Sequence, residues 1–430
     1  MKLFTDFKPT TTEEWRAAVE KELKGLPFET TLVSSDTVEE IDFSKFADTR
    51  KESKESLTFL RASKSANNDW FIGKSIDIKD EKIANHEALT ALNQGANSIT
   101  FVLQKKNVLW EALFHEIGMD FIEVQFKTLD QEQTDALSTV FPSFSKKPLI
   151  LLNDWLENKA INGNLSFVHY SINSFGIHQV GANATQEIAF ALSAGHVCLH
   201  QLLETGFSID QASAMLRFEM GIGANYFVEA SKFRVFRKLW ANIVAAYEPK
   251  ENCSHSCFIY AKTGFVNKSL KDPYTNLLRQ TTEVLSAVLG GANEIQVQAY
   301  DKFAKGADRV LSERMALNIS NLLKEESYMD RVIDPLGGSY NLEDLSNTLE
   351  SNAWQLFQAI EKLGGIPNKE ASESLRKEIT NTANKRIERI QNGEQILIGI
   401  NKFPNPDEQP VEWMEVPSYF GLPALILEKN

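Results

Sequence analysis

The chain has 430 residues, 43% apolar and 24% charged, with 45 Lys and Arg against 58 Asp and Glu for a net charge of −13. That balance, with no basic run, excludes phosphate-backbone binding as the main business, so no nucleic-acid partner is expected. There is no 18-residue apolar stretch to span a membrane, no apolar run after Met1, and only 3 cysteines, so a cytoplasmic protein with no membrane partner and no disulfide framework is expected.

Near the start, Trp15 to Lys24 predicts a short amphipathic helix that Gly25-Leu26-Pro27 stops. Residues 34–56 carry many charges and few aliphatic side chains, as an exposed arm or linker would. From about Leu57, β-rich runs alternate with helix-length segments. The strands are Ser98–Gln104, Phe121–Phe126, Leu149–Leu152, Phe167–Asn173, Phe258–Thr263 and Glu294–Asp301. The helices are Val108–Ile117, Gln131–Val140, Ala184–Glu204 and Tyr274–Leu289.

Several ends are marked. Gly206 suits a C′ position, Ser208 and Gln211 suit a capping box, and Asp272-Pro273 reads as N-cap and first turn. Gly290-Gly291 closes that last helix. Arg217 to Trp240 reads as a helix broken by two glycines. Repeated strand–helix alternation without a second composition break predicts one large α/β barrel of the (β/α)8 TIM type. It would occupy residues 57–366, after an N-terminal helical arm and linker (1–56) and before a short helical, Pro-containing C-terminal extension (367–430).

Some strands alternate polar and apolar. Ser98, Thr100 and Gln104 oppose Ile99, Phe101 and Leu103; His169, Ser171 and Asn173 oppose Val168, Tyr170 and Ile172; Glu294, Gln296 and Gln298 oppose Ile295, Val297 and Ala299. Ordinary barrels are filled by branched apolar side chains. Alternation here means either a polar-lined axis or a solvated edge, and pattern alone leaves both open.

Chemistry is harder to read. His196 and His200 lie four apart on a helix, and Cys253, His255 and Cys257 could complete a metal site, but no CxxC or HExxH gives it form. A packed helix-face histidine is the simpler account, and no metal ligand is assigned. No GxSxG elbow and no phosphate loop is present. Local motifs therefore name no reaction.

Three longer segments do better. They are RFEMGIGANYFVEASKFRVFRKLW from Arg217, KTGFVNKSLKDPYTNLLRQTTEVLSAVLGGANEIQVQAYD from Lys262, and RVIDPLGGSY from Arg331. Gly181-Ala182 before the following helix, and Trp15 with Glu22-Leu23-Lys24-Gly25, add to them. In this order they resemble the barrel of the methylmalonyl-CoA mutase family, strongly over 165–366 and thinly before that.

The resemblance implies a barrel holding a CoA ester along its axis, with adenosylcobalamin between the barrel and a C-terminal flavodoxin-like domain. The family's cobalt-ligating D-x-H-x-x-G has no counterpart, because none of the 7 histidines has Asp two residues before it. With only residues 367–430 past the barrel, no cobalamin-binding flavodoxin-like domain is expected here. The family's catalytic tyrosine segment has no match in Leu57–Asp80. Its Tyr-His pair is reduced to Ile177-His178, leaving His178 the one catalytic candidate. Gln296 and Gln298 stand where the family has His and Asn; with Thr263 and His169 they are the candidate substrate-binding residues.

The expectation is a small (beta) subunit, itself non-catalytic and binding no cofactor, paired with a large catalytic subunit that holds adenosylcobalamin. Two alternatives are a CoA-ester barrel completed in trans by a separate cobalamin-domain chain, and a non-catalytic CoA-thioester-binding module, which needs an open axis.

Overall fold

The computed structural model describes residues 10–44, 67–105, 107–128, 132, 148–152, 168–407 and 411–429. An N-terminal helical pair, α1 (Thr12–Glu22) and α2 (Phe28–Leu32), leads into a hairpin of β1 (Val33–Asp36) and β2 (Ile41–Ser44). The Thr11 side chain and Glu14 form a capping box at α1, and Trp15 meets Phe28 edge-on at 6.1 Å.

The barrel follows: β3 (Phe71–Ile78), α3 (Glu81–Asn93), β4 (Ser98–Leu103), α4 (Trp110–Leu113), β5 (Glu123–Thr128), β6 (Leu149–Leu152), β7 (Val168–Asn173), α5 (Phe175–Gln179), α6 (Ala184–Glu204) and α7 (Ile209–Ala214). Then come β8 (Leu216–Ile222), α8 (Tyr226–Ala245), β9 (Phe258–Thr263), α9 (Thr275–Leu289), β10 (Glu294–Gln296) and α10 (Val310–Asn321). Two long helices, α11 (Tyr340–Lys362) and α12 (Lys369–Gln391), follow the barrel. Strands β3 to β10 pair in parallel and β10 returns to β3, closing an eight-stranded barrel. This is the expected (β/α)8 architecture.

Two of its strands were not among the predicted ones. β3 falls in a stretch not assigned to a strand, and the Arg217 segment, read as a broken helix, begins with strand β8. The reason is periodicity. Leu216, Phe218, Met220 and Ile222 are buried on one side while Arg217, Glu219 and Gly221 share the other, a repeat of two that an α-helix cannot present. The predicted Glu294–Asp301 strand is shorter than expected, ending at Gln296. The Gln131–Val140 helix lies outside the described residues.

The charged segment after Ser34 also differs from an exposed arm as far as Ser44. Val38, Glu39 and Ile41 are buried. Glu39 accepts from the Ala184 amide at the start of α6 and pairs with Arg386 of α12, while Asp36 pairs with Arg389. Acidic residues were expected to favour solvent, but here a helix N-terminus and two arginines replace it.

Helix ends follow their local chemistry. Ser208 and Gln211 form the predicted capping box, and Gly206 takes φ +97° at the end of α6. The RVIDPLGGSY turn is a tether: Asp334 receives Arg234 of α8 at 2.8 and 3.1 Å, and the same guanidinium reaches Glu343 of α11. The outward faces of the strands, with Ile99, Phe101, Phe126, Phe218 and Ile259, form the main core against the helices. Apolar side chains therefore sit outside the barrel wall, and the polar faces turn inward.

Candidate functional site

Strand register places Ser75, Ser98, Gln125, Lys127, Ser171, Glu219, Tyr260, Lys262, Glu294 and Gln296 on the inner face, so the polar-axis alternative is the one adopted. The axis is crossed by bonds. Glu219, 1% exposed, receives Lys262 at 2.6 Å and Ser171 at 2.5 Å, and Lys127 closes on the same carboxylate. Burial alone would raise the Glu219 pKa, but the two ammonium groups outweigh it and hold the carboxyl below its usual range. Burial pulls Lys262 down to about 8 against the attraction of Glu219, and the nearby Lys127 charge adds to the lowering.

A second layer lies nearer the strand beginnings. Glu294 accepts from Ser98 and Gln125, each at 2.7 Å, and burial raises its pKa. The Arg217 guanidinium stacks over Phe258 at 3.9 Å. These charged inner residues were not among the sequence candidates. The signal was available: Arg217, Glu219 and Gly221 alternate with apolar neighbours as clearly as the strands that were read that way.

The sequence candidates do not converge. Gln296 faces the axis, where its amide oxygen accepts from Ser75 at 3.1 Å and from Tyr260. Thr263 and Gln298 bind each other instead: the Gln298 amide donates to Thr263 Oγ1 at 2.9 Å and its side chain to the Thr263 carbonyl at 2.8 Å. His169 points inward from β7 beside Arg217, and burial with that positive charge lowers its pKa to about 3. It is therefore a neutral imidazole at neutral pH.

His178 sits on α5 at the strand C-termini, the end of a (β/α)8 barrel where active sites form. It is packed in. Its Nδ1 lies 3.1 Å from the Gln179 side chain, and its ring rests on Gly221 so closely that a Cβ there would come within 2.4 Å. Burial, then the charges of Lys232, Arg386 and Lys268, push its pKa well below the imidazole range. Beneath it, Lys232 bridges Glu187 at 2.7 Å and Glu229 at 2.5 Å, all buried.

The loose His/Cys set does not assemble. His196 bonds Glu361 and Tyr247 through its two ring nitrogens, each at 2.8 Å, His200 lies beside Glu204, and buried Cys257 faces Arg237. Among the described residues no group of three His, Cys, Asp or Glu is placed to hold a metal ion, and no helix is long and apolar enough to cross a membrane.

For the adenosylcobalamin that the resemblance implies, three of the 7 histidines are unsuited as a lower cobalt ligand. A lower cobalt ligand must offer an imidazole nitrogen to the corrin. His196 has both nitrogens engaged, and His178 is enclosed by Gln179, Gly221 and Gly223. His169 lies within the axis.

Comparison with known proteins agrees with the fold and the motifs. The family profile described as methylmalonyl-CoA mutase matches residues 153–420. The methylmalonyl-CoA mutase small subunit of Porphyromonas gingivalis is 32% identical over 446 residues, covering 94% of this chain and 71% of that protein. The methylmalonyl-CoA mutase of Cereibacter sphaeroides is 34% identical over 58% of this chain and 35% of its own length. For the human mitochondrial enzyme the values are 32%, 58% and 33%, so the chain aligns with about a third of each of these two longer proteins. With more than half its length matched to one profile, and the motif-bearing strands closed into a parallel barrel, the chain belongs to the methylmalonyl-CoA mutase family.

Proposed function

We propose that this chain is the small subunit of a heterodimeric methylmalonyl-CoA mutase, non-catalytic itself, which stabilises a large catalytic subunit interconverting methylmalonyl-CoA and succinyl-CoA. The observation that carries this reading is the crossed axis. Lys127, Glu219 and Lys262 meet where a threaded thioester chain would pass, and the Gln296 amide is spent on Ser75 and Tyr260. An axis filled this way speaks against the CoA-ester-binding module and against a barrel completed in trans. The likeness to the Porphyromonas gingivalis small subunit, over nearly the whole chain, supports the same reading.

On this reading adenosylcobalamin in the complex is held by the large subunit, and this cytoplasmic chain contributes an interface. The organisation is an arm and linker (1–56), a barrel (57–366) and an extension (367–430), with the stretch from Lys2 to about Phe28 offered to the partner. Thr263, Gln296, Gln298 and His169 act as structural polar residues rather than substrate ligands, and His178 as a packed one.

The test is mutase activity and cobalamin retention of the purified chain, alone and after mixing with a large subunit. Silence alone, with a stable complex and activity on mixing, is expected. Activity or tight cobalamin uptake by the chain alone would overturn the reading. Activity restored by a bare cobalamin-domain chain would favour completion in trans.

A further inference from the structure

Away from the barrel axis, three helices bring an acid, an imidazole and a phenol into line. His196 lies in α6, Tyr247 just past the end of α8, and Glu361 near the end of α11. His196 Nδ1 stands 2.8 Å from Glu361 Oε2, and its Nε2 stands 2.8 Å from the Tyr247 hydroxyl. The acid is itself held. The buried Ser193 hydroxyl donates to Glu361 Oε1 at 2.5 Å, and Ser193 in turn accepts from the Ile366 amide at 3.2 Å. A carboxylate only accepts, so Nδ1 carries the ring hydrogen, and Nε2 of the neutral imidazole accepts from the phenol. The Tyr247 proton therefore already points at a base.

The phenol opens onto a groove of about 670 Å³. Ile243, Ala246, Trp354 and Phe357 give it apolar walls, and Asn242 and Lys362 are polar donors in the same lining. The Trp354 and Phe357 rings pack 5.0 Å apart, and Phe357 meets His196 edge-on at 6.2 Å. His196 and Glu361 keep 28% and 24% of their side chains exposed, so the set is reachable from solvent. Burial, then the Glu361 charge, raises the Tyr247 pKa, so the phenol rests protonated and becomes a strong nucleophile only as a base removes its proton. A nucleophile bonded to a base that a third group orients, beside an apolar pocket, is the arrangement of covalent acyl transfer.

We propose that Tyr247 is an acyl-accepting nucleophile: His196 takes its proton, Glu361 positions His196, and the groove holds the apolar part of an activated ester. Tyr247 Oη forms the new bond to the ester carbonyl carbon as its proton passes to His196 Nε2. The bond from that carbon to the leaving oxygen then breaks. The leaving group departs with the proton from His196, and the acyl group remains on Tyr247 as an aryl ester. The site belongs to the helical layer and does not depend on what the barrel axis does.

Treating the full chain with p-nitrophenyl acetate, and mapping acetylated tyrosines by mass spectrometry, tests this. Tyr247 is expected to be acetylated about a hundredfold faster than the exposed Tyr274 and Tyr328, a gain within the range of general-base catalysis. Glu361→Gln keeps the shape and a hydrogen bond to Nδ1, but its amide can donate that bond, which leaves the ring hydrogen on Nε2 facing the phenol. It should slow Tyr247 labelling about tenfold or more while Tyr274 and Tyr328 stay unchanged, a result that a purely structural bond would not produce. His196→Gln removes the base and should bring Tyr247 down to the rate of the exposed tyrosines. Tyr247 labelled no faster than Tyr274 in the parent, or at a rate that Glu361→Gln leaves unchanged, would overturn the proposal.

Discussion

Glu219 of β8 and Lys262 of the adjacent strand β9 pair at 2.6 Å inside the barrel, and Lys127 of β5 reaches the same carboxylate across the axis. One acid thus serves two bases in a space from which water is largely excluded. Removing the acid leaves two ammonium groups unpaired, the costly way to break a buried ion pair. Glu219→Gln is expected to lower unfolding stability by about 3–5 kcal/mol, measured as a shift in the denaturant midpoint. The triple replacement of Glu219, Lys127 and Lys262 by leucine or methionine should recover most of that loss. If the single variant costs nothing, the axis is wetter than its geometry implies.

The same carboxylate fixes an acid limb. The folded Glu219 pKa is depressed below its unfolded value, so its contribution is present above the unfolded value and is lost as pH falls towards the folded one. Glu187 runs the other way. Burial raises its pKa from 4.5 to about 7, so its contribution is present below pH 4.5 and disappears as pH climbs through 7. Urea midpoints at pH 5, 6, 7 and 8 for the parent and Glu187→Gln should therefore differ by an amount that changes between pH 5 and 7 and levels off by pH 8. A constant offset would contradict the raised pKa.

Gly221 and His178 form a size-limited contact. A methyl on Gly221 would sit 2.4 Å from the imidazole, whose other side is closed by Gln179 and Gly223. Gly221→Ala is expected to cost about 1–3 kcal/mol through overpacking. His178→Ala in the same chain should return part of it, because it empties the space the methyl needs. Equal effects with and without His178, read by thermal or denaturant unfolding, would place the strain elsewhere.

The Arg234–Asp334 tether makes the DPLGGSY turn a structural device. Asp334→Asn keeps the shape but removes the charge from a buried guanidinium, at a cost of about 1.5–3 kcal/mol. Its exchange signature should be local: faster amide exchange at the start of α11, with the strands of the barrel unaffected. Uniform acceleration over the whole chain would show that the turn is part of the global unit instead.

Much of this protein is legible in its residues taken in order. The capping box at Ser208 and Gln211, the glycine stops and the span Ala184–Glu204 follow from local backbone chemistry, which needs no knowledge of what lies across the fold. Strand–helix alternation does the same for the barrel, and the order of three long motifs suffices for the family. What neighbours in sequence cannot reveal is pairing at a distance. Whether Glu219 meets two lysines from β5 and β9, whether Gln298 turns to Thr263 or to the axis, and whether Leu425 and Leu427 bond back to Gln179 and Val266 depend on strand register and loop paths. A polar residue on a strand face carries the same letter whether it binds a ligand, water or another side chain. Only closure of the barrel, which sets those faces a few ångströms apart and excludes solvent, decides which of the three it does.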